Sequence, residues 1–258
     1  MNSMHRTEIN VTYPDAILRH LRITVGACRL KIAPGDGAAW VTGTYEDPTG
    51  GMTCRITQDG GSVKITQEPH LAEMHGRPSG PPVFDLTLGT AQPYLLTVET
   101  GASDNDFELG GLPITRLAVK LGAGKNVMRF SAPNPQPMSL LDLDAGAGSM
   151  EIGGLANANF AELTVDGGAA SFLCDFGGTL QRDAYARIST GLSSVEIVVP
   201  SSTAVRFVSE SFLGHLDVSE GFSKQGGEYW TRAAMSGITP VLTIHASVAL
   251  GSMRLQAT

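Results

Sequence analysis

An all-β fold, a β-solenoid-like stack of strands, is what this sequence predicts, and three observations carry the prediction. The 258 residues hold 31 Gly and 14 Pro, against roughly 7% and 5% in an average protein, so the excess is nearly all glycine. Five segments share one pattern around Gly101, Gly122, Gly146, Gly168 and Gly191, so successive spacings are 21, 24, 22 and 23 residues. On either side of each glycine the apolar residues alternate, which is the period of a strand and not of a helix.

Aligning the five segments on this pivot glycine exposes columns. Three residues before it stand Val98, Val119, Leu143, Val165 and Ile188, and five before it Leu96, Leu117, Leu141, Leu163 and Ala186. Six after it stand Phe107, Met128, Ile152, Cys174 and Ile197, and eight after it Leu109, Phe130, Gly154, Phe176 and Val199. Each repeat therefore reads as a strand, a turn at the glycine and its small neighbour (Ala102, Ala123, Ala147, Ala169 or Leu192), then a second strand. The pivot glycine tolerates a positive φ at no steric cost. One strand pair cannot bury its apolar face alone. Repeats stacked at the roughly 4.8 Å strand spacing can, because like residues then form a continuous core.

The remaining elements follow in chain order. Ala16–Arg22 (AILRHLR) is the one stretch that could form a turn of helix, and the repeat register recurs at Gly26, with Leu21, Ile23, Leu30 and Ile32 in column. From Asp36 to Val83 the period lapses into strands WVTGTY, MTCRITQ and SVKITQE, joined by turns at Gly50-Gly51 and Gly60-Gly61. A long loop is expected from His70 to Pro82, dense in Pro and Gly. At the other end FVSESFLGHLDV and VLTIHASVALGSMRL read as further coils with drifted turns, as terminal repeats do. The chain thus divides softly into residues 1–83, an N-terminal β part, and residues 84–258, a C-terminal β-repeat stack, with one shared core expected.

Eighteen Lys+Arg against 25 Asp+Glu give a net charge of −7. Scattered cations in an acidic chain argue against nucleic acid as a partner and against anionic lipid. Three cysteines without a CxxC, Cys28, Cys54 and Cys174, form neither a disulfide framework nor a thiolate zinc site. Residues 1–12 show no apolar signal segment. The uncharged run Ala233–Met253 alternates in polarity and reads as strand instead of membrane helix. A cytoplasmic protein without membrane insertion is the expectation.

Candidate chemistry is sparse. Two residues before the pivot lies the outward row Glu99, Lys120, Asp144, Asp166 and Ser189. Carboxylates on adjacent rungs would sit about 5 Å apart, the separation of a retaining glycosidase, yet outward strand positions carry polar residues in any case. Asp104, Asp106 and Glu108 alternate on one strand face and could offer oxygens to Ca²⁺. His70, Glu73 and His75 have a spacing that could grip a divalent metal. His5, His20, His215 and His245 are isolated, and no nucleophile motif accompanies them. Gly122-Ala123-Gly124 and Gly146-Ala147-Gly148 are half a dinucleotide fingerprint, but no helix follows to hold a pyrophosphate. Cys174 stands in an apolar column and reads as core. No catalytic residue and no cofactor site is predicted, and no metal site is favoured.

The run GASDNDFELGGLPITRLAVKLGAGKNVMRFSAP, followed by LDAGAGSMEIGG and ISTGLSSVEIVVPSSTAVRF, resembles the toast-rack domain, as does the entry segment LRITVGACRLKIAPGDGAAWVTGTY. The likeness runs from about Leu21 to Leu255. That family of stacked β-strands is grouped with the C-terminal domain of LiaF-like proteins and with bacterial adhesins. The resemblance implies a non-enzymatic domain tied to envelope-stress or antibiotic-response regulation, acting by protein contact, with no catalytic residues to carry over. The residues themselves leave three roles open. The first is a scaffold that binds a protein partner or a second copy through strand faces or edges. The second is a carbohydrate-binding or carbohydrate-active β-helix, which needs exposed aromatics that Trp40, Trp230 and five Tyr would have to supply. The third is a surface adhesin.

Overall fold

In the computed structural model, residues 5–36, 39–69, 80–210 and 213–258 are described. Nearly all of the regular structure is strand. The repeats form as expected. β10 (Ile114–Arg129), β11 (Met138–Gly153), β12 (Phe160–Asp175) and β13 (Ala184–Val199) are each one long strand bent at the pivot glycine. They stack in parallel, Val119 beside Leu143, Leu143 beside Val165 and Val165 beside Ile188. Those four residues are 0–1% exposed, so the columns read from the sequence are the core. The bend works by a change of parity. Residues one, three and five before the pivot face inward, as do residues two, four, six and eight after it, while the pivot and its successor face out. Each coil is therefore a V of two wings.

The pivot glycines answer to close packing and not to φ. None has a positive φ. A Cβ at Gly146 would sit 2.7 Å from the Gly122 carbonyl oxygen, and one at Gly168 2.5 Å from that of Gly146. From Gly122 to Gly168 the column excludes side chains because each corner presses on the carbonyl of the coil beneath it, whereas at Gly191 the same distance relaxes to 3.2 Å. Positive φ values stand two residues later instead, at Gly124 (141°), Gly148 (112°) and Gly251 (144°), in the region that glycine occupies without strain.

Chain order and stacking order part company at both ends. β2 (His20–Val25) and β3 (Arg29–Pro34) form the coil around Gly26, so the expected helical turn at Ala16–Arg22 is displaced by a strand from His20 onward. Leu21 and Ile23 fill inward columns there, and burying them fixes the extended backbone. This coil lies between β6 (Ser62–Pro69) with β7 (Val83–Leu88) on one side and β8 (Tyr94–Ala102) with β9 (Asp104–Glu108) on the other. β9 and β8 then pair with β10. Antiparallel strands cap this end: β5 (Met52–Asp59) on β6, and β4 (Val41–Asp47) on β7 with β1 (His5–Val11) outside it.

The far end repeats the device. β18 (Val241–Ala257) inserts beside β13, with Ala249 taking the pivot position between Val248 and Leu250. β14 (Ala204–Ser209) and β15 (Leu213–Val218) lie outside it, although they precede it in sequence. β17 (Glu228–Thr231) pairs with β14, and β16 (Phe222–Gln225) with β17. Only β18 has complete inward columns on both wings, so it belongs in the interior of the stack. The uncharged stretch beginning at Ala233 opens on a short helix, α1 (Arg232–Met235), capped by the Thr231 hydroxyl, before the strand starts at Val241.

One apolar cluster runs through the stack from Ile9 to Leu255. Two polar devices accompany it. In the inward column four residues after the pivot, Asn105 Nδ2 donates to Asn126 Oδ1 (2.6 Å), and both side chains are 4% exposed. On the return side of the coils, Asn134 Nδ2 donates to the Ile114 carbonyl (2.7 Å) and Asn157 Nδ2 to that of Phe130 (2.9 Å), while Asn157 Oδ1 accepts from the Thr179 N–H (2.9 Å). These bonds satisfy irregular backbone that no strand ladder reaches.

Candidate functional site

The outward row two residues before the pivot is a real surface feature. Glu99, Lys120, Asp144, Asp166, Ser189 and Ser247 occupy successive rungs. Glu210 continues the row beyond Ser247, its N–H donating to the Ala246 carbonyl (2.9 Å). Asp144, Asp166, Ser189, Ser247 and Glu210 border a shallow groove of about 670 Å³. Ser189 and Ser247 hydroxyls hydrogen-bond each other at 3.1 Å. Beside the groove, Tyr185 is 40% exposed and packs its ring 5.2 Å from His245. Lys120 flanks Asp144 on the adjacent rung, which breaks the carboxylate run. Glu210 was not legible from the repeats, because 58 residues of chain separate the coil of Ser189 from that of Ser247, and β14 follows neither pivot.

Asp104, Asp106 and Glu108 share one outward face, as predicted, and each has a partner. Asp104 Oδ1 accepts the Lys125 N–H (3.2 Å), and Asp106 Oδ1 accepts two bonds from the Arg129 guanidinium (2.8 and 2.9 Å). Glu108 Oε1 accepts the N–H groups of Gly110 and Ser131 (2.8 and 3.2 Å). Cross-strand pairing also sets Arg29 beside Asp104 and Lys31 beside Asp106. The face is a chequerboard of opposite charges, which favours this register. His70, Glu73 and His75 lie outside the described residues. Among the described residues no group of three or more His, Cys, Asp or Glu converges as a metal site, and no helix is long and apolar enough to cross a membrane.

The thiols are structural. Burial pushes Cys28 and Cys174 up to about 12 and Cys54 up to about 11, so the nucleophilic thiolate is suppressed at neutral pH. Asp47 differs. Burial acts to raise its pKa, but hydrogen bonds from the Thr49 hydroxyl and the N–H groups of Thr49, Met52 and Gly50 outweigh it and hold the carboxyl below its usual value. That carboxylate organises the turn from β4 into β5.

The end of the stack carries the most distinctive geometry. β15 continues the inward columns of β18, Leu216 beside the buried Met253 and Val218 beside the buried Leu255. Both side chains pack on the core yet are only half-buried. Among the described residues β15 pairs with β18 alone. Its other edge therefore presents unpaired N–H and C=O groups beside an uncovered apolar rung. Sequence reasoning had anticipated exposed edges in general, but not which strand would form this one.

Comparison with known proteins accords with the architecture. The family model described as the N-terminal domain of toast_rack, DUF2154, matches residues 2–153, more than half of the chain. None of the curated proteins matches it. Among solved structures, a "putative cell adhesion protein" from Clostridium sporogenes ATCC 15579 aligns with a TM-score of 0.51 at 14% identity, covering 99% of this chain and 100% of its own. A "putative adhesin" from Bacteroides fragilis NCTC 9343 gives 0.45 at 8% identity, covering 99% and 98%. A "putative lipid binding protein" from Parabacteroides distasonis ATCC 8503 gives 0.41 at 11% identity, covering 98% and 96%. Identities this low bear on the fold alone. With the family model spanning the β1–β11 half, and the same coil continuing to β18, the chain belongs to the toast-rack family.

Proposed function

We propose that this protein is a non-enzymatic interaction module that binds a protein strand along the free edge of β15. The observation that carries the reading is the half-buried pair Leu216 and Val218 on an edge strand paired on one side only. An added strand would take up the open backbone groups and seat alternate apolar residues over that rung, which is how strand addition combines affinity with specificity. The fold neighbour from Clostridium sporogenes is described as a "putative cell adhesion protein", and adhesion is itself an interaction function. Membership of the toast-rack family, which the resemblance groups with LiaF-like domains, supports placing the module in bacterial envelope-stress regulation.

A phage-displayed library of alternating apolar octapeptides tests this. The module should retain strand-forming peptides with micromolar Kd, and Leu216→Lys should weaken them by about tenfold or more, since a lysine on an edge blocks strand addition. Ile56→Lys on the β5 edge should leave binding unchanged. Failure to select any peptide, or binding indifferent to Leu216→Lys, overturns the reading.

A further inference from the structure

We propose that the strand accepted by β15 is β15 of a second copy, docked head to head in antiparallel register centred on Leu216. This rests on the edge-binding reading above and adds the identity of the occupant. The argument is one of register. On β15 the inward positions are Gly214, Leu216 and Val218, in column with Gly251, Met253 and Leu255, while His215 and Asp217 face out beside Ser252 and Arg254. Directly opposed residues of an antiparallel pair share a face. A two-fold axis between residues would oppose inward to outward side chains, and the pleat forbids it. The axis must pass through a residue.

The choice of residue follows from charge and volume. Centring on His215 opposes two imidazoles, and centring on Asp217 opposes two carboxylates. Centring on Leu216 sets His215 of each copy opposite Asp217 of the other, twice by symmetry. Inside, Leu216 meets its own counterpart and Val218 falls opposite Gly214, where Gly214 and Gly251 leave the inward column without side chains. The apolar spine of one copy then runs into the spine of the other through Met253, Leu216, Leu216 and Met253. The interface is isologous and closes on itself, so it removes the β15 edge without building a fibre. The ion pair between Asp217 and Arg254 (3.3 Å) has both side chains 57% exposed and does not compete strongly for the carboxylate.

Light scattering on the eluted full chain and disulfide trapping test the proposal together. The wild type should elute at twice the 27.1 kDa chain mass. In a Cys54→Ser background, Leu216→Cys should form a covalent dimer under oxidised glutathione, whereas Ser171→Cys, in mid-stack on the same wing, should not. Asp217→His should weaken the dimer by about tenfold, and His215→Asp/Asp217→His, which exchanges the opposed groups, should restore it. A one-chain mass at millimolar concentration with no Leu216→Cys cross-link overturns the second copy. If octapeptides still bind β15 in a Leu216-dependent way, edge binding survives that result; if they do not, both readings fall. A cross-linked dimer that the exchange variant fails to restore overturns the Leu216-centred register.

Discussion

Leu143→Ala is expected to lower the unfolding free energy by about 2–5 kcal/mol, measured by urea titration. Leu143 is 1% exposed and stands in the inward column between Val119 and Val165. Truncation opens a cavity in the middle of the stack, where strands on both sides fix the walls and little collapse is available. Because each coil touches only its neighbours, the loss uncouples the coils on either side of β11. Asp144→Ala, one residue along and facing out, should change stability by no more than about 0.5 kcal/mol. A cost below about 1 kcal/mol for Leu143→Ala would mean that the column is not packed.

A large backbone effect is expected at Gly148. Its φ of 112° lies where only glycine rests without strain, and a Cβ would stand 2.1 Å from the Gly124 carbonyl oxygen. Gly148→Ala combines dihedral strain of about 1–3 kcal/mol with a backbone clash that only separation of β10 from β11 relieves. It should cost more than about 3 kcal/mol in thermal or urea unfolding, or leave no folded protein. Gly153→Ala is the matched control. Its φ is outside the left-handed region, and the nearest atom to a Cβ would be 4.0 Å away, so stability should stay within about 0.5 kcal/mol of wild type. Equal tolerance at both positions would refute the close-approach account of these corners.

The central coils were legible because their cause is local. Alternation about Gly122, Gly146 and Gly168 states which side chains face in, and stacking follows from the need to bury them. Why the pivot must be glycine was not legible, because the cause is not local. Whether a glycine answers to φ or to a neighbouring carbonyl depends on the coil beneath it, and that contact is not in the repeat itself. The entry of β18 between β13 and the pair β14–β15 was likewise hidden, since the order of coils is decided by which coil has complete columns and not by chain order. Asn134 and Asn157 stand at different offsets from their pivots because the return loops differ in length, so no column revealed them. The outward row was read correctly from Glu99 to Ser189. Its extension to Ser247 and Glu210 depended on that unseen insertion.

The half-open rung at Leu216 and Val218 follows from the same rule that builds the interior. A stack of V-shaped coils has no natural end, and each wing must be capped or left open. β5, β4 with β1, and β17 with β16 cap three of the four wing ends with antiparallel strands. β15 closes the fourth with one parallel strand, and that asymmetry is the physical basis of the proposed interaction.

Methyl–methyl contacts measured by nuclear Overhauser spectroscopy on protein labelled at Leu and Val methyls put the shared spine to the test most directly. Rungs lie about 4.8 Å apart, so Leu143 should show cross-peaks to both Val119 and Val165, and Val119 none to Val165. Leu143 methyls lacking either contact, or exchanging magnetisation with water instead, would contradict the stack.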